Sequence, residues 1–207
     1  MATAVKICGI TRVNDALAAA RLGAHAIGLV FHASSPRNVT PERAADIVRS
    51  LPPFVTSVGL FVDAQAREIE RVLELVPLNL LQFHGEETPA FCSRFRLPYI
   101  KAARVRAGMD LLQYAQLYEA ARGLLLDAYV EGTHGGTGTA FDWGLIPQGL
   151  TLPLILSGGL TPDNVGEAIR RVGPCAVDVS SGVEASPGVK DARRIATFMK
   201  EVRCADV

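Results

Sequence analysis

The chain has 207 residues, 49% of them hydrophobic and 20% charged, enough to bury a large core and short enough to read as one domain, 1–207. Its 21 basic and 21 acidic side chains cancel, which excludes a global field that would draw the protein to nucleic acid or an anionic membrane. The four cysteines, at 8, 92, 175 and 204, form no C-x-x-C pair and no Cys/His cluster at zinc spacing, so a disulfide framework and a structural metal are both disfavoured. Reduced thiols in the cytosol are expected. The N-terminus enters a strand pattern without a basic n-region and apolar h-region, and no apolar run approaches the ~20 residues that span a bilayer. A soluble, cytoplasmic protein follows.

Short runs rich in Val, Ile and Leu recur along the chain, most of them followed by a turn signal and a helical period. "VKIC" (5–8) reads as the first strand, and "VNDALAAARLG" behind it as a helix that ends on glycine. "AIGLVF" (26–31) precedes "TPERAADIVRSL", whose threonine and proline are helix-start residues. "VTSVGLFV" (55–62) leads to "AQAREIERVLELV", then come "LNLLQFH" (78–84) and the weakly marked "PYIKA" (98–102). "MDLLQYAQLYEAARG" feeds "LLLDA" (124–128). The next helix, in "FDWGLIPQGL", is short and broken by proline and glycine. "PLILSG" (153–158), "TPDNVGEAIRRVG" and "CAVDVSS" (175–181) complete the series. Eight strands at roughly 25 residues per unit predict a single-domain (β/α)₈ TIM barrel, which carries its chemistry on the loops after the strands. An open doubly wound sheet is the alternative, disfavoured because no G-x-G-x-x-G follows the first strand.

Strand ends therefore deserve most weight. "LSGGLTPDN" and "DVSSGVE" follow the last two strands, and their glycines allow backbone N–H groups to approach an anion. Gly158, Gly159, Ser180, Ser181 and Gly182 are the candidate phosphate donors; the bland alternative is that they only satisfy tight turns. Asp127 ends the leucine run of strand six, where apolar surroundings would favour a protonated carboxyl able to act as an acid, or where it pairs with a basic neighbour. Cys8 holds the same place on strand one. It is either a buried small hydrophobe or a chemical group, with Lys6 on the same strand face able to favour a thiolate, or else to pair with the inward Asp178. Arg37, on the loop after strand two, is either a bidentate anion binder or a solvated side chain. His84, ending strand four, suits a ligand contact, a proton shuttle or a structural hydrogen bond. His25, His32 and His134 are assigned no role. The segment 128–143 is long and glycine-rich, and a lid over bound ligand is favoured over a surface excursion because it begins directly after Asp127.

Taken together, "KICGIT", "SPR", "QFHGEE", "LLLD", "GGTGTAFDW", "LSGGLTPDNV" and "VDVSSGVEASPGVKD" resemble the phosphoribosylanthranilate isomerases of tryptophan biosynthesis, from one end of the chain to the other. The resemblance implies an Amadori rearrangement of N-(5-phosphoribosyl)anthranilate by general acid and base, with no cofactor and no metal. It implies Asp127 as the acid that opens the sugar ring, Cys8 as the base that takes the C2′ proton, Arg37 near the anthranilate carboxylate, and the strand-seven and strand-eight loops around the phosphate. The partner is a small phosphorylated aminosugar, not nucleic acid or membrane, for a monomer or homodimer. Thr139 departs from the pattern, which often has lysine in that loop. The competing expectations are another sugar-phosphate barrel enzyme, which would use lysine/glutamate sets or metal-paired acids, and a non-catalytic phosphate-binding module.

Overall fold

A computed structural model describes residues 2–106, 108–128 and 142–206. Eight parallel strands close into a barrel in chain order: β1 (Ala4–Ile7), β2 (Ala26–Val30), β3 (Thr56–Phe61), β4 (Leu80–Phe83), β5 (Tyr99–Val105), β6 (Leu124–Ala128), β7 (Leu154–Leu156) and β8 (Ala176–Val179). Each expected strand is present, displaced at its ends by a few residues at most. The seam is the β1–β8 pairing, which sets Lys6 beside Asp178 and Ile7 beside Val179.

Strand alternation divides the apolar residues into two sets. Val5, Ile7, Ile27, Leu29, Phe83, Leu124 and Leu126 face outward and are buried under the helices. Inward residues form smaller groups, Ile100, Ala102 and Leu125 in one, Cys8, Val30, Leu60 and Val62 in the other. The interior is thus filled by side chains, as small barrels require.

The helices are α1 (Val13–Arg21), α2 (Pro41–Ser50), α3 (Ala66–Leu75), α4 (Pro89–Cys92), α5 (Leu111–Leu117), α6 (Val165–Val172) and α7 (Ala192–Ala205). Local chemistry starts and stops them. Thr40 caps α2 by accepting from the Arg43 N–H, with proline next in line, and Gly173 ends α6 in the left-handed region at φ 63°. Between β6 and β7 the described residues hold only a 3₁₀ turn, Trp143–Leu145, capped by Asp142. Proline and glycine just beyond it leave no room for a longer helix. After β8 the chain makes a second 3₁₀ turn, Ser181–Val183, and an antiparallel ribbon of β9 (Glu184–Ser186) and β10 (Val189–Lys190) before α7. Neither the ribbon nor α7 was among the elements expected from the sequence. The segment expected to act as a lid, with Thr139 and His134, lies outside the described residues across 129–141.

Candidate active site

A cavity of about 370 Å³ opens at the C-terminal ends of the strands, a size suited to a small ligand. Its wall includes Cys8, Arg37, His84, Asp127, Gly158, Gly159, Ser180 and Ser181, so residues from six different strand ends or loops meet there. Gly182 is not on that wall. A Cβ at this position would lie 2.0 Å from the Leu160 carbonyl oxygen, so Gly182 is where the two glycine-rich loops touch. The other sequence candidates surround one space.

Cys8 follows β1, with its N–H donating to the Val179 carbonyl at 2.8 Å across the seam. Inward alternation puts Lys6 below it, where Nζ meets Asp178 Oδ1 at 2.8 Å, both side chains buried. Ser157 Oγ donates to the other Asp178 oxygen at 3.4 Å. Burial alone would push the Lys6 ammonium down, but Asp178 and then Cys8 carry it above the usual lysine range. Burial pushes the Cys8 thiol up. Lys6 works against that rise, Asp178 adds to it, and Lys190 opposes it more weakly. Lys6 therefore both approaches the thiol and pairs with Asp178, yet the balance leaves the thiol harder, not easier, to ionise than an ordinary cysteine.

Room for this group comes from Gly28 on β2. A Cβ there would lie 2.7 Å from Cys8 Sγ and 3.1 Å from Lys6 Cε. Gly9 does the same on the far side: at φ 73°, its missing Cβ would fall 2.5 Å from Arg37 Cδ. The backbone after "KIC" thus turns close under the arginine.

Arg37 is neither solvated nor loose. Its Nε and Nη2 donate to the two oxygens of Glu184 at 2.9 and 2.8 Å, a side-on pair that fixes the guanidinium plane and leaves Nη1 off the shared edge. Lys190 donates to Glu184 at 2.7 Å and to the Ser180 carbonyl at 3.1 Å. Burial would raise the Glu184 carboxyl, but hydrogen bonding from Arg37 and the charge of Lys190 hold it below the usual carboxylate range. Burial pushes Lys190 below the ordinary lysine value despite Glu184. Both partners sit on the ribbon, an element too short to carry a periodic signal, although "SSGVE" was itself part of the resemblance.

Asp127 closes β6 with a carboxylate 5% exposed. Oδ1 accepts from the Ala128 N–H at 2.9 Å, and Oδ2 lies 3.0 Å from His84 Nε2. The other ring nitrogen, Nδ1, lies 3.0 Å from Gln82 Nε2. Gln82, two residues earlier on β4, is fully buried and also on the cavity wall. The loop that follows His84 is clamped: Glu87 accepts from the Asp63 and Gly85 N–H groups at 2.9 and 3.0 Å and from the wholly buried Lys101 at 3.1 Å. Gln82, Gly28, Glu184 and Lys190 carry no motif on their own, and sequence reasoning passed over them as individual positions. His32, given no role, also reaches the cavity wall.

The family model of N-(5′-phosphoribosyl)anthranilate (PRA) isomerase matches residues 5–201. The N-(5′-phosphoribosyl)anthranilate isomerase of Nitrosospira multiformis is 61% identical over 202 residues, 98% of this chain and 97% of that one. A solved phosphoribosyl anthranilate isomerase in complex with reduced 1-(o-carboxyphenylamino)-1-deoxyribulose 5-phosphate is 40% identical, with TM-score 0.83 over 98% of this chain and 99% of the other. Monomers generated from the dimeric isomerase of Thermotoga maritima match with 41% identity and TM-score 0.87 over 98% and 99%.

Proposed function

The chain belongs to the N-(5′-phosphoribosyl)anthranilate isomerase family, and from that premise we propose which of its side chains carry out the rearrangement. The protein is an isomerase of tryptophan biosynthesis, and its reaction converts an N-glycoside of anthranilate to 1-(2-carboxyphenylamino)-1-deoxyribulose 5-phosphate. Residues 1–207 form one barrel domain in this proposal.

Asp127 gives its proton to the furanose ring oxygen; the C1′–O bond breaks with its electron pair on oxygen, and the nitrogen lone pair makes the Schiff base. Cys8, as thiolate, then takes the C2′ proton, and the electrons of that bond move toward nitrogen to give the enolamine, which tautomerises to the ketose. The observation that carries this assignment is the placement of Cys8 and Asp127, both buried, on the wall of one cavity, each with its own hydrogen-bonded support. Gly158, Gly159, Ser180 and Ser181 take the phosphate, with Gly182 holding the two loops together. Arg37, locked by Glu184, presents Nη1 to the anthranilate carboxylate. The same set argues against a metal-dependent epimerase or a bare phosphate-binding module, because each would leave Cys8 and Asp127 without work.

The test is turnover of freshly generated substrate, followed by loss of its anthranilate fluorescence. Cys8→Ala and Asp127→Asn should each lower kcat by about 10² to 10⁴ while the far-UV spectrum and the binding of product stay as in the parent. Near-normal kcat in either folded variant would remove that residue from the assignment.

The protein acts in the cytoplasm on this reading; among the described residues no helix is long and apolar enough to cross a membrane. The chain is a monomer or a homodimer on this reading, a dimeric isomerase being among the solved relatives.

A further inference from the structure

Gln82 Oε1 is buried and has no hydrogen-bond partner among the described residues, while the other end of the same amide meets His84. An orphaned acceptor in a fully buried side chain is costly and needs a reason. The chain Gln82–His84–Asp127 supplies one, because it has two self-consistent polarities. In the first, Gln82 Nε2–H donates to Nδ1, so the imidazole proton is on Nε2 and points at an ionised Asp127. In the second, the amide is turned over: Gln82 Oε1 accepts from His84 Nδ1–H, and His84 Nε2 accepts from a protonated Asp127. No other group described here holds the amide in one orientation.

We propose that Gln82 is a positioning residue for the acid of this reaction, its amide reversing to set the His84 tautomer that matches each protonation state of Asp127. The proposal rests on Asp127 as the acid. The first polarity is the spent acid and the second the loaded one. On reloading, Cys8 releases to solvent the proton it took from C2′, the amide turns away from Nδ1, one proton enters there from solvent, and the His84 Nε2 proton passes to Asp127; this replaces the proton that Asp127 gave to the ring oxygen and restores the thiolate. No charge is left on the imidazole at the end.

Asp127→Asn makes the chain testable without turnover. The Ala128 N–H already bonds Oδ1, so an asparagine places its oxygen there and its NH₂ on His84, standing in for the loaded carboxyl. Histidine-labelled protein observed by ¹⁵N NMR at mildly alkaline pH should show His84 as the Nε2–H tautomer in the parent and Nδ1–H in Asp127→Asn. Gln82→Met should mix the tautomers in both backgrounds and lower kcat about tenfold with KM unchanged. A His84 whose tautomer in either background is the same with Gln82 and with Gln82→Met would overturn the proposal, as would parental kcat in a Gln82→Met variant with mixed tautomers. The role of Asp127 as acid would survive either result, because it is judged by the turnover of Asp127→Asn alone.

Discussion

Gly28→Ala is the sharpest probe of how Cys8 is packed. The position has no left-handed backbone requirement, so a methyl group there meets only a lack of space. The new Cβ would sit 2.7 Å from Cys8 Sγ and 3.1 Å from both the Cys8 Cα and Lys6 Cε, where carbon contacts prefer about 3.5 to 4.0 Å. Lys6 cannot yield cheaply, since its Nζ is held 2.8 Å from Asp178 in a buried pair. The thiol and its backbone must therefore move by several tenths of an ångström or more. Overpacking of this kind costs about 1 to 3 kcal/mol, which at this chain length lowers Tm by about 2 to 12 °C. Misplacing a reacting group by about 1 Å costs about 10²-fold in rate, so kcat should fall steeply while KM, assigned in the proposal to Arg37 and the loops after β7 and β8, changes little. Thermal unfolding and steady-state kinetics on the same preparation provide both numbers. An alanine variant that melts within about 1 °C of the parent and retains kcat within about twofold would show that the space around the thiol has room to spare.

Glu184→Gln should unlock Arg37 and leave Lys190 without its counter-charge; KM is expected to rise about tenfold and stability to fall by about 3 kcal/mol in denaturant titrations, and an unchanged KM would separate Arg37 from ligand binding. Because burial raises the Cys8 thiol, with Asp178 adding and Lys6 and Lys190 opposing, the thiolate is scarce at neutral pH and its fraction grows about tenfold per pH unit below the raised value. Both kcat and the rate of Cys8 alkylation should climb from neutral to alkaline pH, whereas a fast, pH-independent alkylation would contradict the sign of that shift.

The barrel was legible because its signals are local. Each strand announces itself by a short Val/Ile/Leu run, and Asp127 and Cys8 stand out as polar or reactive groups at the ends of such runs. The segment after β6 carried a weak helix signal for a physical reason, since Pro147 and Gly149 confine the chain to one 3₁₀ turn. What escaped notice depends on closure of the sheet. Gly28 matters only because β1 pairs with β2 in the register that faces it to the thiol. Glu184 and Lys190 matter because a two-stranded ribbon folds back beneath Arg37, and no periodicity marks strands of three and two residues. Arg37 carried a signal of charge but none of its partner, and His84 none of the amide behind it.

The seam between β1 and β8 also fixes the order of events when the protein is made. Lys6 and Asp178 are 172 residues apart, so the thiol's neighbourhood is assembled from segments that leave the ribosome far apart in time. Ion pairing of Lys6 beneath the Cys8 thiol, and the contact between Ser180 and Lys190, wait for β8 and the ribbon to emerge. A nascent barrel therefore exposes an open β1 edge, with all the association risk of an unpaired strand, until β8 arrives to cover it. Shortened chains ending before Asp178 should be catalytically silent however well their first strands pair.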